Sequence, residues 1–201
     1  VPGIPFPDWA VIPTERMTVV ETLQSTLWHD VHPPAYYLLM LPYTRAFGIE
    51  LATIRWPSVV FGVLGVAALF ALVRRENGGR IALGAAALLA LNGLHIHYSQ
   101  RARLWIPTYL LAIVATDLLV RLESRSTRAL RAGYLASATL GLWTSYAFWP
   151  FFIGHGVYAL LGRVPVGRAL EVLRMQAQAL VLSSVLVVAL RAQLARSHDI
   201  A

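Results

Sequence analysis

An all-α fold, a bundle of helices crossing a lipid bilayer several times, is what this sequence predicts. Three observations carry that expectation. Apolar runs of membrane-spanning length recur along the chain. Charged residues are scarce, 13% of 201 residues against 57% hydrophobic, where soluble domains carry about 25%. All 17 Lys-plus-Arg positions are arginine, and most sit at the ends of the apolar runs.

Composition excludes several function classes. With no cysteine there are no disulfides and no thiolate metal sites. A formal net charge of +7 would suit nucleic acid, but arginines flanking apolar runs set membrane topology instead. The expected surroundings are membrane lipids, with no nucleic-acid partner.

The elements follow in order. The opening VPGIPFPDWAVIP is too rich in proline to start a helix. From Thr14 to Trp28, Met17, Val20, Leu23, Leu27 and Trp28 recur at helical spacing and predict an amphipathic surface helix. His32 to Phe47 holds an apolar stretch interrupted by Pro42, short of the ~20 residues a span needs; it predicts a helix lying in or dipping into the interface. Spans are then expected over Pro57–Val73, Ile81–His97 and Leu104–Val120. Ala132 to Leu161 is too long for one span, and its middle, WTSYAFWP, predicts a hairpin turning at an interface. A last helix is expected over Met175–Leu190. The organisation is thus a loop with interfacial helices over 1–56 and a bundle of about six spans over 57–201.

Arginine positions orient this bundle. Arg74, Arg75 and Arg80 occupy one loop, Arg121, Arg125, Arg128 and Arg131 the next on that side, and Arg163, Arg168 and Arg174 another. These ten of the 17 mark the cytoplasmic face of a plasma (inner) membrane, leaving residues 1–56 outside.

Four polar clusters are expected at the outer face: Asp8; HDVHPPAYY, with His32 and Tyr36; HIHYSQRAR, with Tyr98, Gln100, Arg101 and Arg103; and WTSY, with Tyr146. Ionisable groups near a bilayer are expensive to place and tend to mark sites.

HDVHPPAYYLLMLPYTRAFG, IRWPSVVFGVLG and RIALGAAALLALNGLHIHYSQRARLW, in this order, resemble GT-C membrane glycosyltransferases. The likeness is to the bacterial branch similar to dolichyl-phosphate-mannose–protein mannosyltransferases. It spans roughly residues 8–190 and corresponds to the N-terminal half of such enzymes. The chain begins where their first transmembrane helix would have just ended. The resemblance implies transfer of a sugar from a polyprenyl-phosphate carrier to an acceptor on the outer face. It implies Asp8 as the catalytic base, 24 residues before His32. It also implies His32, Tyr36, Tyr98, Gln100, Arg101, Arg103 and Tyr146 as substrate-binding groups.

Three positions depart from the family pattern. Trp9, Arg101 and Ser145 stand where the family carries Glu, Glu and His, and ligands for a divalent metal go with them. The departures open a second expectation: a non-catalytic subunit of a larger membrane complex that keeps the fold. In such a subunit His95, His97 or His155 would ligate a pigment or haem.

Overall fold

The computed structural model describes residues 17–29, 32–161, 165–187 and 191. They form an all-helical membrane protein, with no strand among them. Helix α1 (Val19–His29) starts at a capping box: Thr18 Oγ1 accepts from the Glu21 amide at 3.2 Å, and the Thr18 amide donates to the Glu21 carboxylate at 2.6 Å. Its buried face differs from the expected stripe. Thr22 and Thr26 are buried, their hydroxyls donating to the carbonyls of Thr18 and Thr22, while Val20 is 61% exposed. A satisfied threonine can line a helix interface at little cost, so the apolar spacing did not decide which face packs.

Helix α2 (Ala35–Phe47) follows the buried Pro33-Pro34 pair and ends at Gly48, whose φ of 84° is open only to glycine without strain. At 13 residues it is about 20 Å long, shorter than the ~30 Å hydrocarbon layer. Tyr36, Tyr37, Met40 and Leu41 are buried along it.

Helix α3 (Leu51–Asn77) is longer than the expected span and crosses with length to spare, about 40 Å. It buries only Ile54, Ser58, Gly62 and Gly65. Small residues at one-turn spacing let a neighbouring backbone approach closely, which is how helices associate where lipid and side chain are equally apolar. Its remaining apolar surface, including Val63 and Leu64, is exposed for lipid contact.

The expected span over Ile81–His97 is not straight. Helices α4 (Gly79–Ala90) and α5 (Gly93–Ser99) meet at a bend of 61°. Asn92 causes the break: its side chain accepts from the His95 amide at 3.0 Å, capping α5 and taking the chain out of α4. Helix α6 (Trp105–Ser124) is the second helix long and apolar enough to cross, and the bent α4–α5 pair makes a third if taken as one span.

Helix α7 (Arg128–Thr144), capped by Thr127, stops at Ser145, where the backbone turns extended and the Ser145 hydroxyl caps a single 3₁₀ turn, Tyr146–Phe148. Helix α8 (Trp149–Leu161) then runs back, so 132–161 is two helices joined at the aromatic turn. Helix α9 (Val166–Leu182) starts nine residues before the expected Met175, directly after Pro165. The apolar count missed its polar first turns, which are held by ion pairs.

The main core lies between α6, α7, α8 and α9, around Leu119, Tyr134, Leu142, Phe148, Phe152 and Met175. A polar thread runs through it. The Thr116 hydroxyl donates to the Ala112 carbonyl at 2.7 Å and lies 3.0 Å from His155 Nε2, while Tyr134 Oη lies 3.4 Å from His155 Nδ1. One assignment satisfies every group: Nε2–H donates to Thr116 and Nδ1 accepts from Tyr134.

The ends of the bundle differ in kind. At one end Asp117 takes Arg75 at 3.1 Å and Arg121 at 3.4 Å, and Tyr158 donates to Glu123. There too Glu171 takes Arg131 at 3.0 Å, Arg168 at 3.1 Å and the Ser126 hydroxyl at 2.7 Å. The turns from α3 and α6, the end of α8 and the start of α9 therefore share one arginine-rich end.

Candidate functional site

At the other end, the loop from Gln100 to Leu104 joins α5 to α6. Its backbone closes on itself, Arg101 N to Tyr98 O at 3.2 Å and Arg103 N to Arg101 O at 2.8 Å. Ala102 and Leu104 are buried against Tyr36, Tyr37 and Met40 of α2 and Ile54 of α3. This alternation holds the loop down by its apolar residues and leaves Arg101 exposed and Arg103 half-buried.

Trp105 draws two of the sequence clusters together. Its ring is 6.5 Å from His32, edge-on, and 6.0 Å from Tyr98. His97 meets Tyr98 edge to face, ring centres 5.3 Å apart. An imidazole, a phenol and an indole gathered here each have an apolar body and a polar edge, the make-up of side chains placed where an apolar region meets a polar one.

Two grooves share His95 as a wall, and the first of them reaches this aromatic group. One, of about 290 Å³, runs between α4, α5 and α6 past Leu89, Leu94, Tyr98, Trp105 and Tyr109. The other, of about 310 Å³, runs along α3 past Val59, Val63 and Ile96 to Ser99 and Gln100. His95 Nε2 lies 3.3 Å from the Gly62 carbonyl oxygen, and Ser99 donates to the His95 carbonyl at 2.7 Å. The position of Ser99 needs the absent side chain at Gly62, since a Cβ there would clash with the Ser99 hydroxyl. Their linings are mostly apolar, with Asn92, His95 and Tyr98 in the first and His95, Ser99 and Gln100 in the second as polar groups, a mixture suited to an amphiphile.

The structure thus brings His32 and Tyr98 to one place through Trp105, and sets Gln100 on the second groove. Tyr36 lies beneath them in the α2 core, its ring 5.8 Å from Tyr37. Tyr146 does not join them. It lines a separate small cavity with Leu142, Trp149 and Ser183, between α7, α8 and α9. Asp8 lies outside the described residues. His95, Tyr109 and Gly62 were not among the expected substrate-binding groups; the signal for them was the Gly-x-x-Gly spacing of α3 facing the HIHYS helix. Of the histidines considered as pigment or haem ligands, His155 has both ring nitrogens engaged inside the core. Among the described residues no three His, Asp or Glu converge as a metal site.

The family model for dolichyl-phosphate-mannose-protein mannosyltransferase matches residues 31–190, beginning one residue before His32. The chain belongs to this family. The match covers α2 to α9, and with them the aromatic group, the loop of Gln100, Arg101 and Arg103, and both grooves. Curated proteins and solved structures give no match to the chain. Membership makes this mannosyltransferase-family chain a membrane protein of glycosyltransferase type.

Proposed function

We propose that the chain transfers a glycosyl group from a polyprenyl-phosphate carrier to an acceptor hydroxyl at the outer face of a plasma membrane. The observation that carries this reading is the pair of largely apolar grooves that meet at His95 and reach Tyr98 and Trp105 on one side and Gln100, the neighbour of Arg101, on the other, at the end opposite the arginine-rich one. A polyprenyl-phosphate sugar has the matching profile: an apolar chain, a phosphate, and a sugar that stacks on aromatic rings.

In this scheme the isoprenoid lies in the grooves beside His95, the sugar meets Tyr98 and Trp105, and Arg101 and Arg103 face the phosphate. A carboxylate, Asp8, takes the proton of the acceptor hydroxyl as its oxygen forms a bond to the anomeric carbon. The bond from that carbon to the phosphate oxygen breaks, and the electron pair leaves with the lipid phosphate. Cations at the mouth stabilise the charge that grows there. The arginine-rich end is cytoplasmic, and the aromatic end opens outward.

Transfer from a radiolabelled polyprenyl-phosphate sugar to a mixed acceptor fraction, measured in membranes holding the chain, tests the proposal. Asp8→Asn keeps the size of the side chain and removes the proton acceptor, so transfer should fall about 10²–10⁴-fold at unchanged abundance. A variant as active as the parent overturns the role of Asp8. A parent with no transfer, purified in fixed ratio with other membrane subunits, supports the non-catalytic alternative instead.

A further inference from the structure

Around Glu171 the arginines outnumber the carboxylate they share. On α9, Arg168, Glu171 and Arg174 are spaced by three and share a face. On α7, Arg128 and Arg131 do the same. The two rows are bridged by Arg131 to Glu171 at 3.0 Å and by the Ser126 hydroxyl to the same oxygen at 2.7 Å. Arg125 adjoins Ser126 in the turn between α6 and α7. Glu171 is fully occupied by Ser126, Arg131 and Arg168. The guanidiniums of Arg125, Arg128 and Arg174 are exposed and have no carboxylate partner among the described residues.

Exposed apolar residues lie at the same end of the bundle. Leu161 at the end of α8 is 81% exposed and Val166 at the start of α9 is 76% exposed, with Leu160 and Leu170 beside them. Exposed guanidiniums together with exposed leucine and valine, at one end of membrane helices, match one partner: a lipid with an anionic headgroup and acyl chains. Guanidinium is suited to it because its planar fork pairs with two phosphate oxygens and is more weakly hydrated than ammonium.

We propose that Arg125, Arg128 and Arg174, with the free edges of Arg131 and Arg168, form a binding site for the headgroup of an anionic phospholipid. The acyl chains lie along Leu160, Leu161 and Val166. The site is independent of the transfer reaction, and binding there clamps α7 against α9.

The test reconstitutes the full chain in bilayers of equal parts phosphatidylglycerol and phosphatidylcholine, extracts it mildly, and weighs the lipids it retains by native mass spectrometry. The parent should retain phosphatidylglycerol in preference to phosphatidylcholine, and its Tm in neutral detergent should rise when phosphatidylglycerol is added. R125Q/R128Q/R174Q leaves the Glu171 pairs intact, so it should keep its Tm in neutral detergent. Its preference should fall by about fivefold per guanidinium removed. The corresponding triple lysine variant keeps the charge and should retain part of the preference, which holds the test open if the glutamine variant misfolds. Retention of both lipids in bulk proportion by the parent overturns the proposal, as does a glutamine variant that keeps the parent's preference. Inorganic phosphate that raises Tm as much as the lipid does shows a free-phosphate site and overturns the lipid assignment.

Discussion

The imidazole of His95 rests 3.3 Å from the carbonyl oxygen of Gly62, a contact between α5 and α3 that sets the common wall of both grooves. A methyl group at position 62 would stand 3.0 Å from Ser99 Cβ and closer still to its hydroxyl. Because Ser99 Cβ is tied to the α5 backbone, the short helix itself would have to move. Gly62→Ala is therefore expected to destabilise by about 1–3 kcal/mol, the usual range for overpacking. Adding Ser99→Ala should recover part of the loss, since it removes the nearer atom and leaves the other. Tm values of the parent, the two single variants and the double variant check this; equal Tm for Gly62→Ala and parent contradicts it.

Gly141 is held more tightly. A Cβ there would lie 2.6 Å from Cζ of Phe148, whose ring is 0% exposed and cannot swing away. Gly141→Ala should cost at least as much as Gly62→Ala and should lower the yield of folded protein. Gly154, on the next helix, meets nothing within 4 Å. Gly154→Ala should be neutral or raise stability by up to about 1 kcal/mol through helix propensity. Opposite responses at these two glycines, one on α7 and one on α8, would be seen in paired thermal melts; a similar loss at both would contradict the packing.

These two glycines show where sequence was informative and where it was not. The spans within α3 and α6 were legible because lipid demands continuous apolar runs, and the aromatic turn at Ser145 was legible because WTSYAFWP interrupts one. The bend at Asn92 was hidden: a single asparagine in an apolar run is compatible with a straight span, and only the cap it makes to His95 reveals the break. Trp105 reads from sequence as one more interfacial aromatic, yet it joins Tyr98 to His32, which lies far upstream, before α2. Tyr146 was grouped with them by motif, although α7 carries it to a different cavity. His155 illustrates the same limit, since its partners Thr116 and Tyr134 are on other helices.

Glu171 predicts an acid-side loss of stability. It lies at the arginine-rich end, before the apolar part of α9. The Ser126 hydrogen bond, and then Arg168 and Arg131, hold its carboxyl below the ordinary value of 4.5. A carboxylate lowered on folding adds stability that is complete above its unfolded value. That stability is lost as pH falls below 4.5 through the lowered folded value. Glu171→Gln should be less stable than the parent at neutral pH, and the gap should close in the acid range. Thermal melts across that range would show the two curves converging; parallel curves would assign the pH dependence to other carboxylates.

The orientation of the bundle gives the last prediction. Arg74, Arg75 and Arg80 flank the α3–α4 turn, which through Arg75–Asp117 shares its end with the α6–α7 turn and the start of α9. If this end is cytoplasmic, α1, on the chain before the first long span, is outside. The protein contains no cysteine, so a single introduced thiol reports one position without background. Glu76 is exposed in the arginine turn and Val20 is 61% exposed on α1. In intact cells a membrane-impermeant maleimide should label Val20→Cys and leave Glu76→Cys unmodified until the membrane is permeabilised. The reverse pattern would invert the bundle, placing the aromatic group and both grooves on the cytoplasmic side. Equal labelling at both positions before permeabilisation would mean that α3 does not span. Either outcome would remove the outer-face acceptor from the proposed reaction while leaving family membership intact, because membership rests on residues 31–190 and not on their sidedness.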